Sequence, residues 1–153
     1  MFNIEVSEEV EPKKLDIDEK EFPGFKVLVK YLPPDVLTKM QAKCQETVRG
    51  VRGQADRTST DTLRWSRMIV EKAVLGWEGF KLEYLEAMLP ITAGTREAVK
   101  KAGGTVPFDI EAAKVLATRA SDRVFMGPVV RFVTDWAHYS EEAKVEEKNE
   151  SAA

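Results

Sequence analysis

Four stretches of the chain space their apolar residues at intervals of three and four, and this spacing limits what the chain can become. Residues three and four apart share one face of an α-helix, whereas a half-buried strand alternates with a period of two. In the first stretch Leu37, Met40, Cys44 and Val48 form one stripe behind Pro33-Pro34-Asp35, a sequence suited to a helix's first turn. Gly50 and Gly53 are the expected stop. The second stretch has Ser59 or Thr60 as N-cap, Asp61 in the first turn, and Trp65, Ile69, Ala73 and Val74 on one face, with Gly76 closing it. In the third, Asp109 caps a helix whose Ile110, Ala113, Leu116, Ala117 and Ala120 face one way. In the fourth, Pro128 starts or kinks a helix carrying Val129, Phe132, Val133, Trp136 and Tyr139 as a dense stripe.

Weaker signals fill the gaps. Leu82, Leu85, Met88 and Leu89 predict two helical turns ended by Pro90, and 95–102 a short helix ended by Gly103-Gly104. Between Phe25 and Leu32 the pattern partly alternates, with Phe25, Val27, Val29 and Tyr31 on one side, which predicts a short strand. A strand needs a mate, and the nearby candidate is Phe2-Asn3-Ile4-Glu5-Val6, which alternates as well. Gly76, Trp77, Gly79 and Phe80 predict a tight glycine-bracketed structural turn. The expected fold class is mainly α: a small helical bundle with a short N-terminal strand or hairpin and charged flexible termini.

Charge sets the expected domain limits. From Met1 to Glu21 eight acids face three lysines, and from Glu141 to Ala153 five glutamates face two lysines. The middle holds 18 Lys and Arg against 13 Asp and Glu, so acidic ends flank a mildly basic body. The expected organisation is an acidic arm over 1–21 with room for a short strand, a helical domain over 22–140 and a charged disordered tail over 141–153. With 153 residues, one domain is the expectation. No apolar run approaches the roughly 20 residues needed to span a bilayer, so no membrane role is expected.

Most catalytic chemistry finds few residues to use. His138, the single histidine, is offset from the stripe ending at Trp136 and Tyr139 and reads as a boundary or surface residue. Cys44, the single cysteine, lies on an apolar stripe and reads as core. Asp135 and His138 are three apart, with Glu141 and Glu142 following, but a structural metal site wants a richer ligand set. No GxxxxGK[ST] loop is present. The expectation is therefore a protein that is not an enzyme and has no metal or cofactor.

Two surfaces stand out. Arg49, Arg52, Arg57, Arg64 and Arg67 lie within 19 residues and offer a basic face for phosphates or for an acidic protein. The acidic ends weigh against nucleic acid, so a small nucleic-acid-binding or packaging accessory protein is the alternative reading rather than the first. The Val129, Phe132, Val133, Trp136 and Tyr139 stripe is the candidate partner-binding surface, because short amphipathic helices in a small fold cannot all be covered on every side.

The order of landmarks resembles the tail assembly chaperones of long-tailed bacteriophages and prophages. The resemblance is carried by "FKVLVKYLP" before a helix, "VEKAVLGWEGF" over 70–80, "VPFDIEAAKVL" over 106–116, and a closing apolar helix with the charged end "EEKNESAA". It covers about residues 25 to 150. The link from Phe80 to Val106 is longer than the resemblance implies and reads as an insertion. The resemblance implies a protein of the infected host's cytoplasm, absent from the mature virion. It also implies binding to the tape measure protein, help in loading tail tube protein, self-association into a homo-oligomer, and in many phages a frameshifted longer form.

Overall fold

The computed structural model describes residues 2–48 and 50–140. The expected helical bundle is not what forms. Among the described residues helix makes up 44% and strand 15%, in a three-stranded antiparallel sheet and a separate two-stranded sheet, so the architecture is mixed α/β. The strand predicted from Phe25 onward is present as β2 (Lys26–Val29), but it is the centre of a sheet rather than half of a local pair. On one side it pairs with β1 (Lys13–Asp16), with Lys13 opposite Val29 and Asp16 opposite Lys26. On the other it pairs with β5 (Val74–Glu78), with Val27 opposite Trp77 and Leu28 opposite Gly76. The period-two pattern works as expected: Phe25, Val27 and Val29 are fully buried, while Lys26 and Leu28 are half-buried on the other face.

The proposed mate, Phe2–Val6, joins no sheet among the described residues. Phe2, Ile4 and Val6 are 90%, 77% and 79% exposed. The folded body also begins earlier than the expected boundary at residue 22, because β1 joins the sheet and Ile17 is buried behind it. The tail over 141–153 lies outside the described residues.

Two predicted helices are cut short by strand pairing. Helix α1 (Pro34–Lys43) stops before the end of its apolar stripe, and Gln45–Val48 becomes β3, paired with β4 (Arg57–Thr60). Residues such as Thr47, Val48, Thr58 and Thr60 favour an extended chain once a partner strand is in reach. Arg52 and Gly53, with φ of +53° and +82°, supply the left-handed residues of the connection. Cys44 still seats in the core, fully buried with its Sγ 3.3 Å from the Met68 sulfur. Helix α2 (Thr62–Ala73) is capped by Asp61, whose carboxylate accepts the Arg64 N–H at 3.1 Å. It runs without a loop into β5, and Val74 pairs with Val29 two residues before the expected stop at Gly76.

The second half follows the sequence closely. Helix α3 (Leu82–Met88) ends before Pro90, and α4 (Ala93–Lys101) starts at Thr92, whose hydroxyl accepts the Thr95 N–H. Gly103 and Gly104, both at positive φ, end it. Helix α5 (Ile110–Arg119) is capped by Asp109 and packs on α2, with Lys114 bridging Glu71 and Glu111 across the seam. Helix α6 (Met126–Val133) holds Pro128 in its first turn, and a further helical turn occupies 137–140.

The long link between Phe80 and Val106 is a closed excursion. The Val106 N–H donates to the Phe80 carbonyl at 2.7 Å, and the Leu82 N–H donates to the Gly104 carbonyl at 3.0 Å. The helical pair α3–α4 thus leaves and re-enters the body at one point, as an insertion between neighbouring elements would.

Candidate docking groove

Chemistry is scarce on this surface. Among the described residues no group of three or more His, Cys, Asp or Glu side chains could hold a metal ion. His138 is exposed, 3.5 Å from Asp135 and stacked on Phe132 at a centroid distance of 4.3 Å. It lies at the boundary of the closing helical stripe. Glu141 and Glu142 lie outside the described residues. No helix is long and apolar enough to cross a membrane among the residues described.

The glycine-bracketed motif is structural, though its form differs from the expected turn. Gly76 and Trp77 lie within β5, because the ladder to β2 claims them. Only Gly79 is at a bend, with φ of +67°. Trp77 sits between the motif and its downstream counterpart: its Nε1–H donates to the Val106 carbonyl at 2.9 Å, and its ring meets Phe80 and Phe108 edge-on at 5.2 and 4.9 Å. Phe25 completes the cluster, stacked on Phe80 at 4.3 Å. "GWEGF" and "VPFD", far apart in sequence, therefore form one aromatic nucleus.

The Val129 to Tyr139 stripe is mostly core. Val129 and Val133 are fully buried and Tyr139 is 2% exposed. They close the body beside β2, where the Leu32 N–H donates to the Val133 carbonyl at 2.9 Å. As an apolar ridge for a partner most of the stripe is spent, because the protein's own core takes up Val129, Val133 and Tyr139. Phe132 is half-buried, and Trp136 remains 47% exposed because the chain breaks its helix after Val133 and turns the next residues outward.

Trp136 leads to the feature that sequence reasoning missed. Its ring lies 5.1 Å from that of Tyr31, which in turn lies 5.3 Å from Tyr139. Together with Val36 on α1, Tyr31 and Trp136 form the apolar part of a groove of about 800 Å³. Lys30, Lys72 and Asp35 line it as well, with Leu32 and Pro33, and Val6, Ser7, Glu8 and Val10 form one side, so acids and lysines both face it. Both lysines are exposed, and neither makes an ion pair among the described residues. The aromatic-plus-lysine pattern spans residues 30, 31, 72 and 136, so no local window of sequence displays it.

Tyr139 beneath the groove carries a measurable signature. Its hydroxyl is buried with no hydrogen-bond partner among the described residues, and burial, together with Tyr31, holds its pKa above the ordinary tyrosine value. Above pH of about 10 the unfolded chain releases this proton while the folded chain retains it, so stability falls as pH rises. Tyr139→Phe should remove that alkaline loss and be neutral or stabilising at pH 7, since an unpaired buried hydroxyl is lost. Urea melts at pH 7 and at alkaline pH check both. A Tyr139→Phe chain markedly less stable at pH 7 would contradict this placement.

Four of the five arginines lie among the described residues, on two consecutive elements. Arg49 lies outside the described residues. Arg52 and Arg57 belong to the β3–β4 hairpin, at the end away from Cys44 and Asp61, which join it to the body. Arg64 and Arg67 lie three apart on α2. Arg57 is three residues from the root of the hairpin, about 10 Å at strand rise. All four described arginines are exposed and make no ion pair among the described residues. The 153-residue chain matches no family model, no curated protein and no solved structure.

Proposed function

We propose that this protein is a tail assembly chaperone of a long-tailed bacteriophage. In this reading it works in the host cytoplasm, is absent from the mature virion, binds the tape measure protein, keeps it soluble and assists tail tube assembly. The observation that carries the reading is the meeting of its two main landmarks: Trp77 of "GWEGF" bonds to Val106 and packs on Phe108 of "VPFD". Motifs whose side chains support one another are what a shared fold requires. The excess length between them, closed at its neck, fits an insertion into that fold.

The groove beside Trp136 supplies the means. A tape measure protein is a long helical chain with apolar faces that would aggregate before the tube encloses it. A half-exposed tryptophan and a tyrosine, rimmed by two lysines and two acids, suit the apolar face of an amphipathic helix. One such contact is weak enough for the tube to displace, and many copies along one client add avidity. Coexpression with the tape measure protein of the same phage should yield a soluble complex. A tape measure protein left insoluble, with no complex recovered, would remove the reading.

The unpaired arginines favour one other reading, a nucleic-acid accessory protein. Several phosphate contacts would give DNA binding a steep salt dependence. A chaperone should show little binding at physiological salt, and the same titration distinguishes the two.

A further inference from the structure

We propose that two copies of this chain join through the free edge of β1, antiparallel and in one register, with Leu15 of each copy on the twofold axis. β1 is an edge strand, bonded to β2 on one side only. Its register with β2 fixes which backbone groups are committed. The Ile17 N–H donates to the Phe25 carbonyl, and Leu15 and Lys13 follow at intervals of two, opposite Val27 and Val29. Residues two apart point their N–H and C=O groups the same way. Lys13, Leu15 and Ile17 therefore face β2, while Lys14 and Asp16 present theirs outward. Those outward groups meet no backbone partner among the described residues. The chain before β1 runs on past Lys30 and Tyr31, beyond the pair at Lys13 and Val29, rather than back along the edge.

Charge selects a second β1 as the partner and sets its register. A twofold axis perpendicular to the sheet keeps each face on its own side, so opposite residues must share a face. Centred on Lys14, the pairing would set two lysines against each other and bring Pro12, which has no N–H, opposite Asp16. Centred on Asp16, it would oppose two aspartates. Centred on Leu15, it places Lys14 of each copy opposite Asp16 of the other, so that unlike charges meet on one face and each pair exchanges both of its backbone bonds. On the other face Leu15, half-buried against the core, meets its own copy in the close non-bonded pair. An edge lysine ordinarily deters pairing; this one admits a strand that offers an acid in register. The product is one continuous antiparallel sheet through both copies, closed by the twofold symmetry commonest in homo-oligomers.

Sedimentation of the full chain over a range of concentrations, with amide exchange followed residue by residue, tests the joint. So short an edge should give a weak, reversible dimer, with a dissociation constant on the order of 100 μM. The Lys14 and Asp16 amides should become protected as concentration rises, because they gain partners only in the dimer. Lys14→Glu and Asp16→Lys should each weaken the dimer by about tenfold or more, since each sets like charges opposite at both pairs. Lys14 bridges Glu78 only at the surface, 60% and 55% exposed, so circular dichroism should show that the fold is kept. Mixed together, the two variants should recover association as a heterodimer, in which both pairs are again of unlike charge. A chain still monomeric at about 1 mM would overturn the inference. So would a dimer that leaves the Lys14 and Asp16 amides unprotected, or a mixture with no recovery. No client is present in these measurements, so the joint stands or falls apart from the chaperone reading.

Discussion

Phe25→Ala should destabilise the protein by about 3–5 kcal/mol, the range for truncating a buried phenylalanine. Phe25 has no exposed surface. Its ring stacks on Phe80 at 4.3 Å and meets Trp77 edge-on at 6.3 Å, so its loss opens a cavity at the junction of the sheet and the aromatic nucleus. Relaxation is restricted there, because β2 is held on both edges by β1 and β5. Domains of this size have roughly 5–15 kcal/mol in hand. The variant should therefore lose a large share of its stability, with a melting temperature lowered by roughly 10 °C or more. Urea or thermal denaturation gives the value. A loss under about 1 kcal/mol would mean that the cluster is not the packed centre described above.

Gly79→Ala should come next, with a loss on the order of 1–3 kcal/mol from backbone conformation alone. Gly79 has φ of +67°, where a side chain is strained. A Cβ there would also lie 2.1 Å from the Gly24 carbonyl oxygen, and the obstacle is backbone rather than a flexible side chain. The residues preceding β2 and following β5 would have to separate, which would disturb Phe25 and Phe80 together. Gly76→Ala provides the control: Gly76 lies in β5 with open space around its Cα. It should cost far less, although it belongs to the same motif. Equal losses at the two positions would contradict the assignment of Gly79 as the close approach.

These two sites show which part of the fold was legible in the sequence. Caps, stops and local periodicity were readable at Asp109, Pro90 and Gly103-Gly104, because each acts within a few residues. The alternation at Phe25, Val27 and Val29 gave a strand and its buried face, but not its neighbours. Val74–Glu78 lies nearly fifty residues away, and its helix-like prefix with a glycine at 76 gave no hint of a ladder. Phe2–Val6 had the better pattern and took no part. The same competition shortened α1: Cys44 and Val48 continue a helical stripe, yet the chain turns into β3 at Gln45 because β4 is within reach. Tertiary pairing overrode local preference in each case.

The candidate site shows the converse problem. An apolar stripe states that something will cover a helix face, not what will. At Val129, Val133 and Tyr139 the cover is the protein's own body. Trp136 escapes it through a break in the helix after Val133, and Tyr31 joins Trp136 from across the fold. The groove is made by elements that meet only after folding.

The central claim is that this groove holds the tape measure protein, and the affinity of the Trp136→Asp chain for that client tests it most directly. Trp136 is half-exposed and lies outside the fully buried core, so the variant should keep its fold. A tryptophan at the centre of a contact is worth about 2 kcal/mol or more, and loss of binding by roughly thirtyfold or greater is the expected result. A folded Trp136→Asp chain that binds and solubilises the tape measure protein as well as the unaltered one would contradict it.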